Sequence, residues 1–306
     1  MIVQDQFPEL APYLDEPKQK VGALSDLHQE AFLHLGFERR GERTALTSLQ
    51  RRVPLLVQQA LYWDEQMPTL PCVFIISTSG GILQGDRLTM EFTLAPFAQA
   101  HITAQAATKI HEMDSNYAAQ TQTIVLADHA YLEYFPGIVI PHRHSRFLTQ
   151  THISIAPTAT LLYAEILMPG RKYYKNGERF VYDLFSSTVQ AKRPDGQELC
   201  VEKFMIEPAK QPLHQVGIMG EYDVFGNVLL LTPEEQAEQI FEAVPAVFNR
   251  EQQWAAGASH LPNKAGLIYK VVGMESQIVR AKIREFWELV RRTVMGTTLP
   301  PEFLWR

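Results

Sequence analysis

Four carboxylates occupy positions where a β-rich chain has reason to avoid them. Asp86 follows a turn holding Gly80, Gly81 and Gly85. Glu133 sits in Tyr131-Leu132-Glu133-Tyr134-Phe135, and Glu165 in Leu161-Leu162-Tyr163-Ala164-Glu165-Ile166-Leu167. Glu178 closes a polar segment that begins at Gly170-Arg171. A carboxylate buried without a partner in a Leu/Tyr strand is costly, so each of these acids needs a cation, a hydrogen-bond donor or water. Two readings stand. One is an internal salt bridge, with Lys109, Arg171 or Arg179 as the cation. The other is a wet, acid-lined interior path for a divalent metal ion. Carboxylates and water suit an ion in transit, whereas dense His/Cys clusters would hold it too tightly.

Other chemistry is poorly represented. In Pro141-His142-Arg143-His144, the two histidines would share one side of a strand and could share a metal. Two ligands leave such a site incomplete, and a surface loop is the competing reading. His101, His111 and His152 stand alone, as hydrogen-bonded core histidines do. No Gly-x-Ser-x-Gly elbow, zincin motif, Walker loop or dinucleotide fingerprint is present. The three-glycine turn precedes a strand, not a helix N-terminus, so it is no phosphate cradle. The sequence therefore predicts a protein that is not an enzyme. Cys72 and Cys200 lie far apart without metal-ligand spacing and read as buried thiols, not as a disulfide.

The elements that must position these acids are mostly strands. The chain has 306 residues, 46% of them apolar, enough for a substantial core. Its net charge of −6 disfavours nucleic acid as a partner. The lack of a long apolar run and of a leader-like start predicts a cytoplasmic protein with no membrane contact. The basic residues Arg280, Lys282, Arg284, Arg291 and Arg292 read as the solvated side of one helix.

Short runs rich in Val, Ile, Thr, Tyr and Phe recur from Ala31 onward, bounded by Gly, Pro, Asp and Asn. Residues 1–26, with Pro8, Pro12 and Pro17, read as a flexible N-terminal arm. Residues 27–306 read as one β-rich domain. Inside it, Leu94-Ala95-Pro96-Phe97-Ala98, Leu126-Ala127-Asp128-His129-Ala130 and Ile155-Ala156-Pro157-Thr158-Ala159 repeat one small-residue turn, 32 and then 29 residues apart. That period accommodates two strands and two turns. It predicts a mainly β fold of stacked, β-helix-like units, with a two-sheet sandwich as the alternative.

Two helices are expected near the end. One spans 233–248, with Thr232 as N-cap, Pro233 at the first helical position and Glu235 completing a capping box. The other spans 275–295, with Val279, Ile283, Phe286, Trp287, Val290 and Val294 on one stripe and Gly296 as its stop.

A set of motifs runs in a fixed order: Gly36-Phe37-Glu38, Gly80-Gly81 with Gly85-Asp86, and Gln105-Ala106-Ala107-Thr108-Lys109. Leu132-Glu133-Tyr134, Gly170-Arg171, Gly177-Glu178-Arg179-Phe180, Gly266-Leu267-Ile268 and Leu299-Pro300-Pro301 follow. In this order and spacing the set resembles the UreD (UreH) family of urease accessory proteins. The resemblance implies a β-helix-like scaffold that binds apo-urease together with UreF and the nickel GTPase UreG. It also implies a role in delivering nickel to the dinuclear urease site, through an internal tunnel. Asp86, Glu133, Glu165 and Glu178 match acidic motif positions, which implies transient contact with Ni²⁺ or support of the network around its path. No tightly bound cofactor is implied. A second reading is a purely structural module that holds apo-urease open without touching nickel. Thr103-Ala104, His111-Glu112 and the 141–146 segment depart from the family pattern, which keeps His142 and His144 out of the implied set.

Overall fold

The computed structural model describes residues 7–17 and 30–301. The rest of the arm expected at 1–26 lies outside the described residues. The chain runs through β1 (Glu30–Arg40), β2 (Arg43–Arg52), β3 (Leu55–Leu56), β4 (Cys72–Ser77), β5 (Arg87–Leu94) and β6 (Gln99–Ala104). Next come β7 (Thr108–Ile110), β8 (Ala118–Leu126), β9 (Tyr131–Phe135), β10 (Ile138–Pro141), β11 (Arg146–Ile155) and β12 (Thr160–Leu167). The last strands are β13 (Leu184–Lys192), β14 (Glu198–Ile206), β15 (Val224–Leu231), β16 (Val247–Asn249), β17 (Trp254–His260) and β18 (Gly266–Gly273). Helix α1 (Glu234–Glu242) precedes β16, and α2 (Ser276–Met295) follows β18.

The repeated turns govern the architecture. Each joins a strand of one sheet to a strand of the other: β5 to β6, β8 to β9, and β11 to β12. Like strands then stack in parallel, β5–β8–β11–β13 in one sheet and β4–β6–β9–β12 in the other. The turns form a ladder of their own. Ala127 N–H donates to Leu94 O and Ala156 N–H to Leu126 O, at 3.0 and 2.9 Å. Within the turns, Ala98, Ala130 and Ala159 each close back on the alanine three residues earlier. The repeat is therefore a coil of stacked two-strand turns, as the spacing predicts.

Antiparallel strands finish the sheets. The first sheet has the order β14-β13-β11-β8-β5-β1-β2, and the second runs β16-β17-β18-β15-β12-β9-β6-β4-β3. The main core fills the space between them, with Leu33, Leu35, Phe92, Ile102, Leu132 and Leu161 buried. A second core lies on the outer face of the longer sheet, under α1 and α2. There Val279, Ile283, Phe286, Trp287 and Val290 supply the expected stripe. Gly296 ends α2 at φ +67°, where its N–H donates to Arg292 O. The left-handed conformation is what favours glycine there.

Three expectations need correction. Helix α1 stops at Glu242 instead of near residue 248, because Pro245 disfavours helical backbone just before it and cannot donate a helical N–H. The capping box does not form. Pro233 is the N-cap, and the Thr232 hydroxyl pairs with Thr160 and Gln236 side chains instead. Finally, within the arm expected to be flexible, residues 7–17 pack on the shorter sheet. Phe7 and Leu10 are buried with Tyr117, Ala119, Leu148 and Leu184. Glu9 meets Lys203 and Ser186, and Glu16 meets Arg146.

Candidate functional site

The coil encloses a cavity of about 210 Å³ between the sheets. Its walls come from the glycine turn at 80–81, the 104–109 segment, Gly137, and inward side chains of β8, β9, β11 and β12. Strand alternation puts Tyr134, Tyr163 and Glu165 on the same inner face, because Tyr134 and Tyr163 are register partners and Glu165 is two residues further on. The two tyrosine rings stack with centroids 5.2 Å apart. Tyr134 donates to Gln122 Oε1 at 2.5 Å, and Gln122 Nε2 donates to Thr151 Oγ1 at 2.9 Å. Thr149, which also lines the cavity, has a buried hydroxyl without a hydrogen-bond partner among the described residues.

Glu165 is the one expected site acid on this wall. Ser187 Oγ lies 3.3 and 3.4 Å from its carboxylate oxygens, and no cation pairs with it among the described residues. Burial pushes its pKa up to about 7, against the pull of hydrogen bonds from Tyr163 and Ser187, with Glu202 adding to the rise. Lys109, one of the cations expected to neutralise an acid, lines the cavity without reaching Glu165. The site is a largely apolar cavity between the sheets with a few polar groups on its wall, one of them a carboxyl poised between its two charge states.

The other three acids lie apart from this wall. Glu133 is fully buried on the opposite face of the same sheet, beneath α2. Its oxygens accept from Tyr131, Trp287 and Arg291 at 2.7–2.8 Å, and His101 Nδ1 lies 2.9 Å away. Burial alone would raise its pKa, yet the hydrogen bonds from His101 and Arg291 hold it far below the ordinary carboxylate range. Arg291 also bridges to Asp64 Oδ2 at 2.5 Å. Glu178 is clamped by Arg171 through two bonds of 2.5 and 2.7 Å, and that contact holds its pKa low. Asp86 is buried and accepts the Leu83 N–H at 2.8 Å, closing the glycine turn. The salt-bridge reading thus describes Glu133 and Glu178, although Arg291 was not among the cations expected. Expected on the solvated side of its helix, Arg291 is instead 1% exposed. The four acids do not converge, and no cluster of three metal-ligating side chains occurs among the described residues.

His142 and His144 also separate, because the segment is a turn with His144 at φ +56°. His142 is buried and packs edge-on to His111 with centroids 4.9 Å apart, whereas His144 faces Asp183 at 3.2 Å. Burial, with Arg171 and His111 nearby, lowers the His142 pKa to about 4, so it is neutral at physiological pH. Cys72 and Cys200 are buried thiols.

Together these features define a class: a β-coil scaffold around a small internal cavity with a carboxyl on its wall, stiffened by buried ion pairs. The chain belongs to the UreD urease accessory protein family, whose model matches residues 29–306. It is 57% identical over 297 residues to Urease accessory protein UreD 2 of Brucella suis biovar 1 (strain 1330), covering 97% of this chain and 98% of that relative. It is 51% identical over 299 residues to Urease accessory protein UreD of Photorhabdus laumondii, covering 98% and 92% of the two chains. With Urease accessory protein UreD of Yersinia pseudotuberculosis the identity is 50% over 300 residues, at the same coverages. Membership supports a role in urease maturation.

Proposed function

We propose that this chain is a nickel-delivery scaffold, binding apo-urease together with UreF and UreG and passing Ni²⁺ toward the urease active site through its internal cavity. The observation that carries this reading is the Glu165 carboxyl, which faces an internal cavity without a cation to neutralise it among the described residues. A single hard oxygen ligand binds a divalent ion weakly enough to release it. Within this reading Glu165 touches the ion. Asp86, Glu133 and Glu178 belong to the network that keeps the path in shape, by closing the glycine turn, fastening α2 and bracing the 170–178 loop. The protein acts without a resident cofactor and in the cytoplasm, with nickel as its cargo.

The closed pairs of Glu133 and Glu178 favour a second reading, a scaffold that holds apo-urease open without touching nickel. Glu165→Gln separates the two, because it keeps the shape and removes the charge. With the Gln variant and limiting nickel, the complex with apo-urease, UreF and UreG should still co-purify while urease carries less nickel. Urease loaded to the wild-type nickel content would eliminate passage past Glu165 and leave the structural scaffold.

A further inference from the structure

The sequence pairs His142 with His144 as a candidate chelate, and the turn separates them. The fold supplies His142 with a different partner. Parallel strands β7 and β10 run in register through Thr108–Val139, Lys109–Ile140 and Ile110–Pro141. One step further on, the His142 N–H donates to Ile110 O at 2.9 Å, so His111 and His142 lie side by side in the same ladder. Neighbouring strands run about 4.8 Å apart, and lateral neighbours project to the same face. The two rings accordingly meet with centroids 4.9 Å apart and planes at 69°.

Both residues are held in place. His111 N–H donates to Ile82 O at 2.9 Å, and its ring covers Gly81, where an added Cβ would lie 2.7 Å from the imidazole and from Lys109 O. Gly81 is not at positive φ, unlike Gly80 and Gly85, so close approach is what requires glycine there. The His142 carbonyl accepts from Ser145 Oγ at 2.7 Å, which fixes its turn. Among the described residues, no hydrogen bond occupies a ring nitrogen of either histidine. That is unusual for His142, which is only 7% exposed, because buried polar groups ordinarily have partners. Burial also keeps His142 unprotonated, and the charge of nearby Arg171 is taken up by Glu178.

Neutral imidazoles with open lone pairs are ligands for a borderline divalent cation. Rings that share one ion, each nitrogen about 2.1 Å from it, hold their centroids about 4.5–5.2 Å apart. The observed separation falls inside that interval. We infer that His111 and His142 form a two-nitrogen site for a borderline divalent cation such as Ni²⁺, with water at its remaining positions. Two protein ligands make a weak, exchangeable site. It abuts the central cavity, whose wall includes Gly81 and Lys109. The inference does not depend on passage of an ion past Glu165.

Titrating the full chain with Ni²⁺ alone tests it. Paramagnetic Ni²⁺ should broaden the imidazole NMR signals of His111 and His142, assigned through His111→Gln and His142→Gln, before those of the other eight of the ten histidines. Signals that broaden together, or other histidines first, would overturn the inference. His142→Gln should raise the Ni²⁺ concentration needed to broaden His111 about tenfold, since the second ligand of the chelate is lost. An unchanged midpoint would reduce the pair to a ring-packing contact. Should a variant fold poorly, Cu²⁺ on the parent chain gives an independent reading. One equivalent should show electron paramagnetic coupling to two nitrogens, and coupling to fewer counts against the pair.

Discussion

Two glutamates on one sheet have opposite fates. Glu133 on β9 and Glu165 on β12 belong to adjacent parallel strands, and the register pairs Leu162 with Glu133 and Tyr163 with Tyr134. Strand alternation then sends Glu133 outward under α2 and Glu165 inward between the sheets. On the helix side, three ring N–H or O–H groups and an arginine converge on Glu133, and its charge is locked in. On the inner side only the hydroxyls of Ser187 and Tyr163 and a cavity face Glu165, so its charge remains negotiable. The fully buried Glu133 is therefore a fastener, and the half-buried Glu165 a responsive carboxyl. What decides between them is the supply of donors.

The largest expected effect comes from breaking the fastener. Arg291→Ala leaves Glu133 and Asp64 buried without their shared cation, which should cost about 3–5 kcal/mol of unfolding free energy. Urea denaturation measures it, and a loss below about 1 kcal/mol would show that the pair does not hold α2 to the sheet. Trp287, whose indole N–H donates to Glu133, should report the loosening as a change in its fluorescence.

The comparison sharpens when pH is varied. With its pKa raised from 4.5 to about 7, Glu165 binds more protons in the folded chain than in the unfolded one across that interval. Its contribution to stability is therefore complete below pH 4.5 and is lost as pH rises through 7, by an amount of order 3 kcal/mol. Glu133 has the opposite sign, since its lowered pKa confers stability that disappears only as pH falls below the ordinary carboxylate range. Glu165→Gln should remove the first dependence and leave the second. The check is the stability difference between parent and variant at pH 5 and pH 8. A difference that does not change between those values would mean that Glu165 is already ionised at pH 5.

How much of this could be read beforehand follows from the same physics. The alanine turns announce the coil because each must be small to stack on the next. The stripe on α2 likewise announces which face meets the sheet. Even the division between Glu133 and Glu165 is latent in the strands. Leu132 and Tyr134 flank Glu133, while Tyr163 sits two residues before Glu165, and only the register shows which parity faces inward. That register is a long-range fact. So is Arg291: it follows the buried stripe residue Val290 and lies four residues after Trp287, but its acids are at 64 and 133. A basic residue beside Arg292 on a charged helix gives no local sign of such partners. Pro245 was a local sign, and it limits α1 to nine residues. Gln122 and Thr149 were invisible as cavity residues because a polar residue in an alternating strand usually faces water.

Thr149 offers the smallest and most discriminating test of the inner wall. Its buried Oγ1 has no hydrogen-bond partner among the described residues, so the folded state bears a desolvation cost that no bond offsets. Thr149→Val replaces the hydroxyl with a methyl of similar size, and it should leave stability unchanged or raise it by up to about 1 kcal/mol. An equivalent change at a satisfied hydroxyl should behave differently. Thr151 accepts from Gln122, which Tyr134 in turn bonds, so Thr151→Val should cost about 1 kcal/mol instead. Paired thermal melts of the two variants would show whether the cavity wall is a mixture of closed and open polar groups. If Thr149→Val destabilised as much as Thr151→Val, the hydroxyl of Thr149 would have a partner in solution, with water in the cavity as the nearest candidate. The wall around Glu165 would then be hydrated at rest, the condition an ion needs if it is to pass there.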